Sequence, residues 1–285
     1  MRRGAVAAPV LAASGIVALL YSIGAFLDEP RKTFVALRYF QEAQRKLQRR
    51  PVDRRGAAAD IRRSLEVAPR EIVILRHAAD TLLAAEAYAD ALDVFAKQPP
   101  STLAQQISYG HCLIMTDRID EGEAVILRAI SLAGVAKRRG EMPAAEYALL
   151  ANNAAYALSL AGVSLEQARI LAESAVAYAP LEPAFCDTLG WILFRLGQTV
   201  DAAFYLERAV RWEMRNPDPV VLYHLGAVYA SMHRVEAARR LLVQSILLDP
   251  ARDDARWQLR QLYRVLPEPA YVTAPVALQE AAAVM

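Results

Sequence analysis

The sequence predicts an all-α protein built from antiparallel helix pairs and preceded by one apolar N-terminal helix. Three observations carry this. Hydrophobic residues make up 55 % of the 285 positions, with alanine and other strong helix formers dominant and β-branched alternation scarce. Asp187–Val210 and Tyr223–Ile246 superpose at a shift of 36 residues. Residues 5–27 form a run of 23 positions without a charge.

The uncharged run comes first in the chain. As a helix it would extend ~34 Å, enough to cross a ~30 Å hydrocarbon core with some tilt. Arg2 and Arg3 precede it, and Arg31 and Lys32 follow. A removable signal peptide is the competing reading, but a signal core usually spans only ~7–15 residues, which favours a retained anchor. Ser14, Ala18 and Ser22 recur every four residues as a ridge of small side chains that would let a second membrane helix approach. Two cations before the run and five soon after it (Arg31, Lys32, Arg38, Arg45, Lys46) lean towards a cytoplasmic C-terminal region. An exported region stays open, because long domains cross regardless of charge. From Arg31 to Arg63, eleven Lys and Arg face three Asp and Glu, a net +8. Near a membrane such a stretch could meet anionic headgroups; it could equally be a solvated helical face.

The repeated segment defines the rest. At a shift of 36, Leu189 matches Leu225, Gly190 matches Gly226, Leu193 matches Tyr229, Ala202 matches Ala238, Leu206 matches Leu242, and Ala209 matches Ser245. Apolar residues fall three and four apart, as one buried helical face requires. Each unit therefore reads as helix, turn, helix, and Pro250 stops the second unit. Glycine within a helix costs up to ~1 kcal/mol against alanine. Close backbone packing offsets that if Gly190 and Gly226 face Ala202 and Ala238 across each helix pair.

This pattern resembles the tetratricopeptide repeat, with its large–Leu–Gly–aromatic first helix, its Ala-rich second helix and its closing proline. Residues 183–250 match strongly. Upstream, Ala151–Pro180 fits through Ala154, Ala155, Leu158, Gly162, Ala168 and Ala175, with one extra residue in the turn. Thr102–Leu132 fits through Tyr109, Gly110, Leu113, Ile126 and Ala129, with Gly122 where alanine is expected. Ile72–Pro100 fits through Leu75, Ala78, Ala79, Leu82, Ala91 and Phe95. Arg38–Pro69 is degenerate, with a credible second helix and a highly charged first one. The resemblance implies a superhelical solenoid of antiparallel helix pairs. The divisions are an anchor at 1–30, a basic segment with a degenerate first repeat at 31–69, and repeats over 70–250. A capping helix over 251–266 and a loosely ordered tail over 267–285 complete the chain. Ala133–Leu150 lengthens one junction and Glu213–Pro219 inserts a shorter stretch.

Most catalytic chemistry has no footing here. None of His77, His111, His224 and His233 has metal-ligand spacing. His111 and Cys112 are neighbours, so on a helix they point ~100° apart and cannot act as a nucleophile–base pair. Cys112 and Cys186 read as two buried thiols, although a disulfide between them stays open. No phosphate loop, dinucleotide fingerprint or nucleophile elbow is present, and the near-balanced formal charge of +2 carries no nucleic-acid signal. We expect neither enzyme nor cofactor, and no small-molecule substrate.

The resemblance implies that the first helices line a concave wall where protein partners lie. By unit, that wall would present Arg76 and Asp80; Ile107, His111 and Met115; Asn152 and Tyr156; Asp187, Trp191 and Arg195; then Tyr223 and Ala227. Aromatic anchors among a few charges suit an extended or helical peptide, although Trp191 and Tyr156 would serve equally as packing between helices. The expectation is a membrane-anchored adaptor, in the setting of a bacterial envelope or membrane complex. The alternative is a structural subunit docked through the anchor ridge and the basic segment.

Overall fold

The computed structural model describes residues 28–69, 71–212 and 217–265. The expected anchor, with Ser14, Ala18 and Ser22, and the tail from 267 onward lie outside the described residues. Among the described residues, no helix is long and apolar enough to cross a membrane. All regular structure described is helical, in thirteen helices: α1 Asp28–Gln48, α2 Arg54–Val67, α3 Ile72–Ala84, α4 Tyr88–Lys97, α5 Leu103–Ile114, α6 Ile119–Arg138, α7 Ala144–Ala161, α8 Leu165–Tyr178, α9 Pro183–Arg195, α10 Thr199–Trp212, α11 Pro219–Ser231, α12 Val235–Leu248 and α13 Asp253–Val265.

Local chemistry sets many of the boundaries. Thr102 caps α5 by accepting from the Gln105 backbone N–H at 3.2 Å, while the Gln105 carboxamide oxygen accepts from the Ser101 backbone N–H at 2.9 Å. Asp218 caps α11 at 2.7 Å, with Pro219 in the first turn, where a missing N–H costs nothing. The lengthened junction appears as long helices: α6 has 20 residues and α7 has 18. The charged first helix is a full partner in the stack. Its stripe Ala36, Leu37, Phe40 and Ala43 is buried, and it starts ten residues earlier than the repeat pattern indicates.

Consecutive helices pair as hairpins, α1 with α2 through α11 with α12, and α13 caps the last pair. The crossings explain the glycines. A Cβ at Gly190 would lie 2.7 Å from Leu206 Cγ and 3.1 Å from the Ala202 carbonyl oxygen. In the α5–α6 hairpin the approach is tighter. A Cβ at Gly122 would sit 2.5 Å from the Gly110 carbonyl oxygen and 3.0 Å from the Ile114 nitrogen. Glycine replaces the expected alanine there because two backbones touch. Ser245, which stands where Ala209 stands one unit earlier, donates its hydroxyl to the Pro219 carbonyl at 2.5 Å. Ser64 does the same to Ala36 at 2.7 Å.

The stack curves. Successive first helices (α1, α3, α5, α7, α9, α11) pack on one another, and no comparable packing joins successive second helices. The first helices therefore form the inner layer. Curvature accumulates until the ends meet: the Val52 backbone N–H donates to the Leu248 carbonyl at 2.8 Å. The terminal units thus meet at one edge of the predicted concave wall.

Substituting the crossing glycines should separate by what each Cβ meets. At Gly226 it meets mainly the Leu242 side chain, at 3.0 Å, and the Ala238 carbonyl only at 3.5 Å. Gly226→Ala should be near neutral in urea unfolding, because higher helix propensity (~1 kcal/mol) offsets a small side-chain shift. Gly190→Ala should destabilise, and Gly122→Ala should destabilise most, by about 2 kcal/mol or more, because rigid backbone must move. Equal costs at the three sites would refute the close-approach account.

Candidate partner-binding site

The hairpin turns fix the register of the inner wall. From the second hairpin to the sixth, each turn holds a residue in the left-handed region: Glu86 (φ 58°), Asp117 (62°), Gly162 (74°), Gly197 (79°) and His233 (57°). Six residues before each lies Asp80, His111, Tyr156, Trp191 or Ala227. Ten residues before each lies Arg76, Ile107, Asn152, Asp187 or Tyr223. Ten of the wall positions expected from sequence therefore form two rows running across successive inner helices, and Met115 and Arg195 lie two residues before their turns.

The rows touch. His111 packs edge-on against Tyr156 at 5.9 Å between ring centroids, and against Tyr88 from α4 at 5.8 Å. Trp191 stacks on His224 at 4.0 Å, with Tyr223 at 5.6 Å. His224 Nδ1 lies 2.8 Å from Asp187 Oδ1. On α3 and α5, the Ser108 hydroxyl donates to Asp80 at 3.0 Å, and the Gln105 side-chain amide donates to the Arg76 carbonyl at 3.3 Å. Arg195 donates to the Ser159 carbonyl at 3.0 Å.

Exposure divides the predicted residues into three groups. Arg76, Asp80, Met115 and Arg195 are exposed. His111, Tyr156 and Tyr223 are half-buried. Asn152, Asp187 and Trp191 are buried. Ile107, at 2 % exposure, belongs to the hydrophobic core and not to the wall. The carboxylates Asp187 and Glu207 have separate partners: Asp187 lies 2.8 Å from His224 Nδ1, and Glu207 accepts from the Tyr229 hydroxyl at 2.8 Å. Cys112 and Cys186 are both free and buried. The wall expected from sequence leaves out His224 and Tyr88. His224 is the one strongly polar side chain in the apolar run of α11. Tyr88 starts a second helix, where the repeat register points to no wall position.

Among the described residues, three buried side-chain atoms on this wall have no hydrogen-bond partner: His111 Nε2 on α5, Asn152 Oδ1 on α7 and Trp191 Nε1 on α9. They sit on three successive inner helices. The indole nitrogen can only donate, the carboxamide oxygen can only accept, and a neutral imidazole nitrogen can do either. Burial lowers the His111 pKa to about 4, so the ring is neutral at pH 7. Burial also pushes the Tyr88 and Tyr156 phenols above their ordinary range, and raises Tyr223 to about 12. Burial, opposed by the Ser108 hydrogen bond and nearby His77, raises the Asp80 carboxyl as well. The Asp80 side chain reaches solvent, but it does so inside a concave surround that withholds much of the water from it.

No protein-family model matches the chain, and neither does any curated protein. Solved structures do. A tetratricopeptide repeat protein from Parabacteroides merdae is 13 % identical over 89 % of this chain and 92 % of its own, with a TM-score of 0.58. This chain has the tetratricopeptide-repeat fold. Lower similarity extends to yeast Tom70 (15 % identity, 94 % of this chain and 62 % of that one, TM-score 0.48). It extends also to PilW, a widely conserved type IV pilus biogenesis factor (18 % identity, 79 % and 98 %, TM-score 0.46). In this tetratricopeptide-repeat fold six hairpins are described, the first of them beginning at Asp28.

The buried imidazole makes stability acid-sensitive. Its folded pKa lies below the ordinary 6.5, so the unfolded chain takes up the proton first as pH falls. The contribution is fully present above about pH 6.5 and is lost towards pH 4. By pH 5 the loss should reach about 2 kcal/mol. His111→Phe keeps a ring against Tyr88 and Tyr156 and should flatten the fall in urea-unfolding stability between pH 7 and 5 by that amount. An unchanged slope would show that His111 does not titrate in this way.

Proposed function

We propose that this tetratricopeptide-repeat chain is a non-enzymatic scaffold that holds a partner protein on its inner wall, in the assembly or organisation of a bacterial membrane complex. One observation carries the reading: three polar atoms without a partner among the described residues, His111 Nε2, Asn152 Oδ1 and Trp191 Nε1, lie on three successive inner helices, the first and third in one row of the wall and Asn152 in the other. Leaving a buried polar group unmet costs about 1–3 kcal/mol each. An extended peptide supplies alternating N–H and C=O groups, which are the partners these atoms need. The rings of Tyr156, Trp191 and Tyr223 add broad apolar contact, and Arg76, Asp80, Met115 and Arg195 supply an accessible rim. Attachment to the inner membrane through residues 5–27 belongs to the same proposal.

A second reading, a subunit docked through its N-terminal region, is favoured by one feature of α1 and α2. Much of the basic segment is engaged internally: Lys46 with Asp60 at 2.6 Å, Arg62 with Asp90 at 3.0 Å, and Arg54 with Asp249 at 2.7 Å. Arg31, Lys32, Arg38 and Arg55 remain exposed, three of them in the first half of α1, next to the apolar run. Replacing residues 5–27 with an unrelated membrane helix separates the readings, because an adaptor keeps its partner and a docked subunit loses its complex.

A photo-crosslinking residue at Met115, on the inner rim, should give specific protein adducts in membranes of the native cell, and one at Phe204, on an outer helix, should not. Asn152→Leu should keep the fold and reduce the Met115 adduct about tenfold, the equivalent of about 1.4 kcal/mol. Adducts confined to Phe204, or full capture by Asn152→Leu, would count against the inner wall.

A further inference from the structure

The seam where the stack closes is polar. Arg54 donates from Nε and Nη2 to Asp249 Oδ2 at 2.8 and 2.7 Å, across 195 residues of sequence. Its Nη1 pairs with Glu86 at 2.5 Å. Arg252 Nη1 lies 3.7 Å from the same Glu86 oxygen, and its Nη2 pairs with Asp254. The Arg252 guanidinium sits 5.3 Å over the Tyr223 ring, on the inner wall. The Asp249 side chain is fully buried, and those of Arg252 and Arg54 are 8 % and 12 % exposed. Glu86, at 43 %, is the member that solvent reaches.

Among the described residues, no apolar cluster crosses this seam. One cluster joins α1 to α5, another joins α11 to α13, and neither includes a residue from the other end of the stack. The closure therefore depends on ion pairs and the Val52–Leu248 hydrogen bond. That is the kind of contact that opens without disturbing the cores on either side, because each hairpin stack is complete in itself. Directly behind it lie Tyr88, two residues after Glu86, and Tyr223, under Arg252.

We propose that Arg54, Glu86, Asp249 and Arg252 form an ionic clasp that closes the inner wall and opens to admit a partner segment. This rests on the reading of that wall as the binding surface. It makes the buried state of Asn152 and Trp191 the resting state, and it makes access depend on ionic strength, since salt screens the partly exposed Glu86 pairs first.

The test needs no partner. The chain has three tryptophans, and Trp212 and Trp257 are 56 % and 59 % exposed. Trp212→Phe with Trp257→Phe in the full chain leaves Trp191 as the only indole. Its quenching by acrylamide should be weak at low salt and rise about threefold between about 0.05 and 1 M NaCl as the clasp is screened. Adding Arg54→Met and Glu86→Asn removes two of the four clasp charges and breaks every ion pair across the seam, and Asn tolerates the left-handed backbone at that turn. Quenching should then be high at low salt and insensitive to more, with helical circular dichroism retained. If the second pair of substitutions unfolds the chain, the salt series on the two-Phe protein decides alone. A quenching constant that stays flat with salt in the clasped protein overturns the proposal. So does one that clasp removal leaves unchanged in a folded chain. The outcome is independent of crosslinking at Met115: a clasp with no adduct refutes the binding wall, and an adduct with no clasp refutes the gate.

Discussion

The structure depends on backbones approaching closely at the helix crossings. Where Gly110 meets Gly122, or Gly190 meets Ala202, no side chain stands between two helices. The large neighbours then interlock on either side, as Leu206 and Leu242 do with complete burial. Each hairpin is thereby a thin, stiff plate. Plates of one thickness stack with a constant small rotation, and the inner first helices touch while the outer ones spread. The curvature of the described stack follows from where glycine and alanine fall along a few helix faces.

That curvature decides what the inner wall can be. In an open arc the two rows of wall residues would face solvent. Here neighbouring inner helices pack closely: Asp187 meets His224, Trp191 stacks on the same ring, and both are buried with Asn152 although their register is that of surface positions. Burial then alters their chemistry. A neutral His111, phenols held in the protonated form, and the Asp187–His224 pair leave a wall of dipoles and rings with few free charges. Such a wall discriminates by hydrogen-bond geometry and shape, because low polarity strengthens each directed hydrogen bond and penalises each unmatched one.

The parts legible in sequence were those fixed by neighbours within one unit. Spacing of Leu189, Gly190, Ala202 and Leu206 shows a hairpin because each contact lies within about twenty residues. The register of Trp191 and Tyr156 follows from the same spacing. The first helix was misjudged because charge on its outer face masked the stripe Ala36, Leu37, Phe40 and Ala43, which is regular once the helix is started at Asp28. The placing of Ile107 in the core was out of reach for another reason: its row faces the wall elsewhere, and only local packing turns it inward. Closure was not legible at all. It is the sum of small rotations over six hairpins, and the residues that complete it, Arg54 and Asp249, carry no mark in sequence beyond charge.

The composition of the inner wall bears on why closure is polar. A solenoid could seal its ends with leucine and gain stability from it, as the α12–α13 contact does through Leu242, Leu259 and Leu262. An apolar seal would be permanent, since burial of two or three such side chains is worth several kcal/mol. Paired buried charges return much less net stability, because desolvation cancels most of their attraction. They do so while specifying one geometry, since Arg54 must find both Asp249 and Glu86. A seam that is specific in arrangement yet modest in strength separates the shape of the closed state from its permanence, and the wall behind it carries polar atoms that packing alone leaves unmatched.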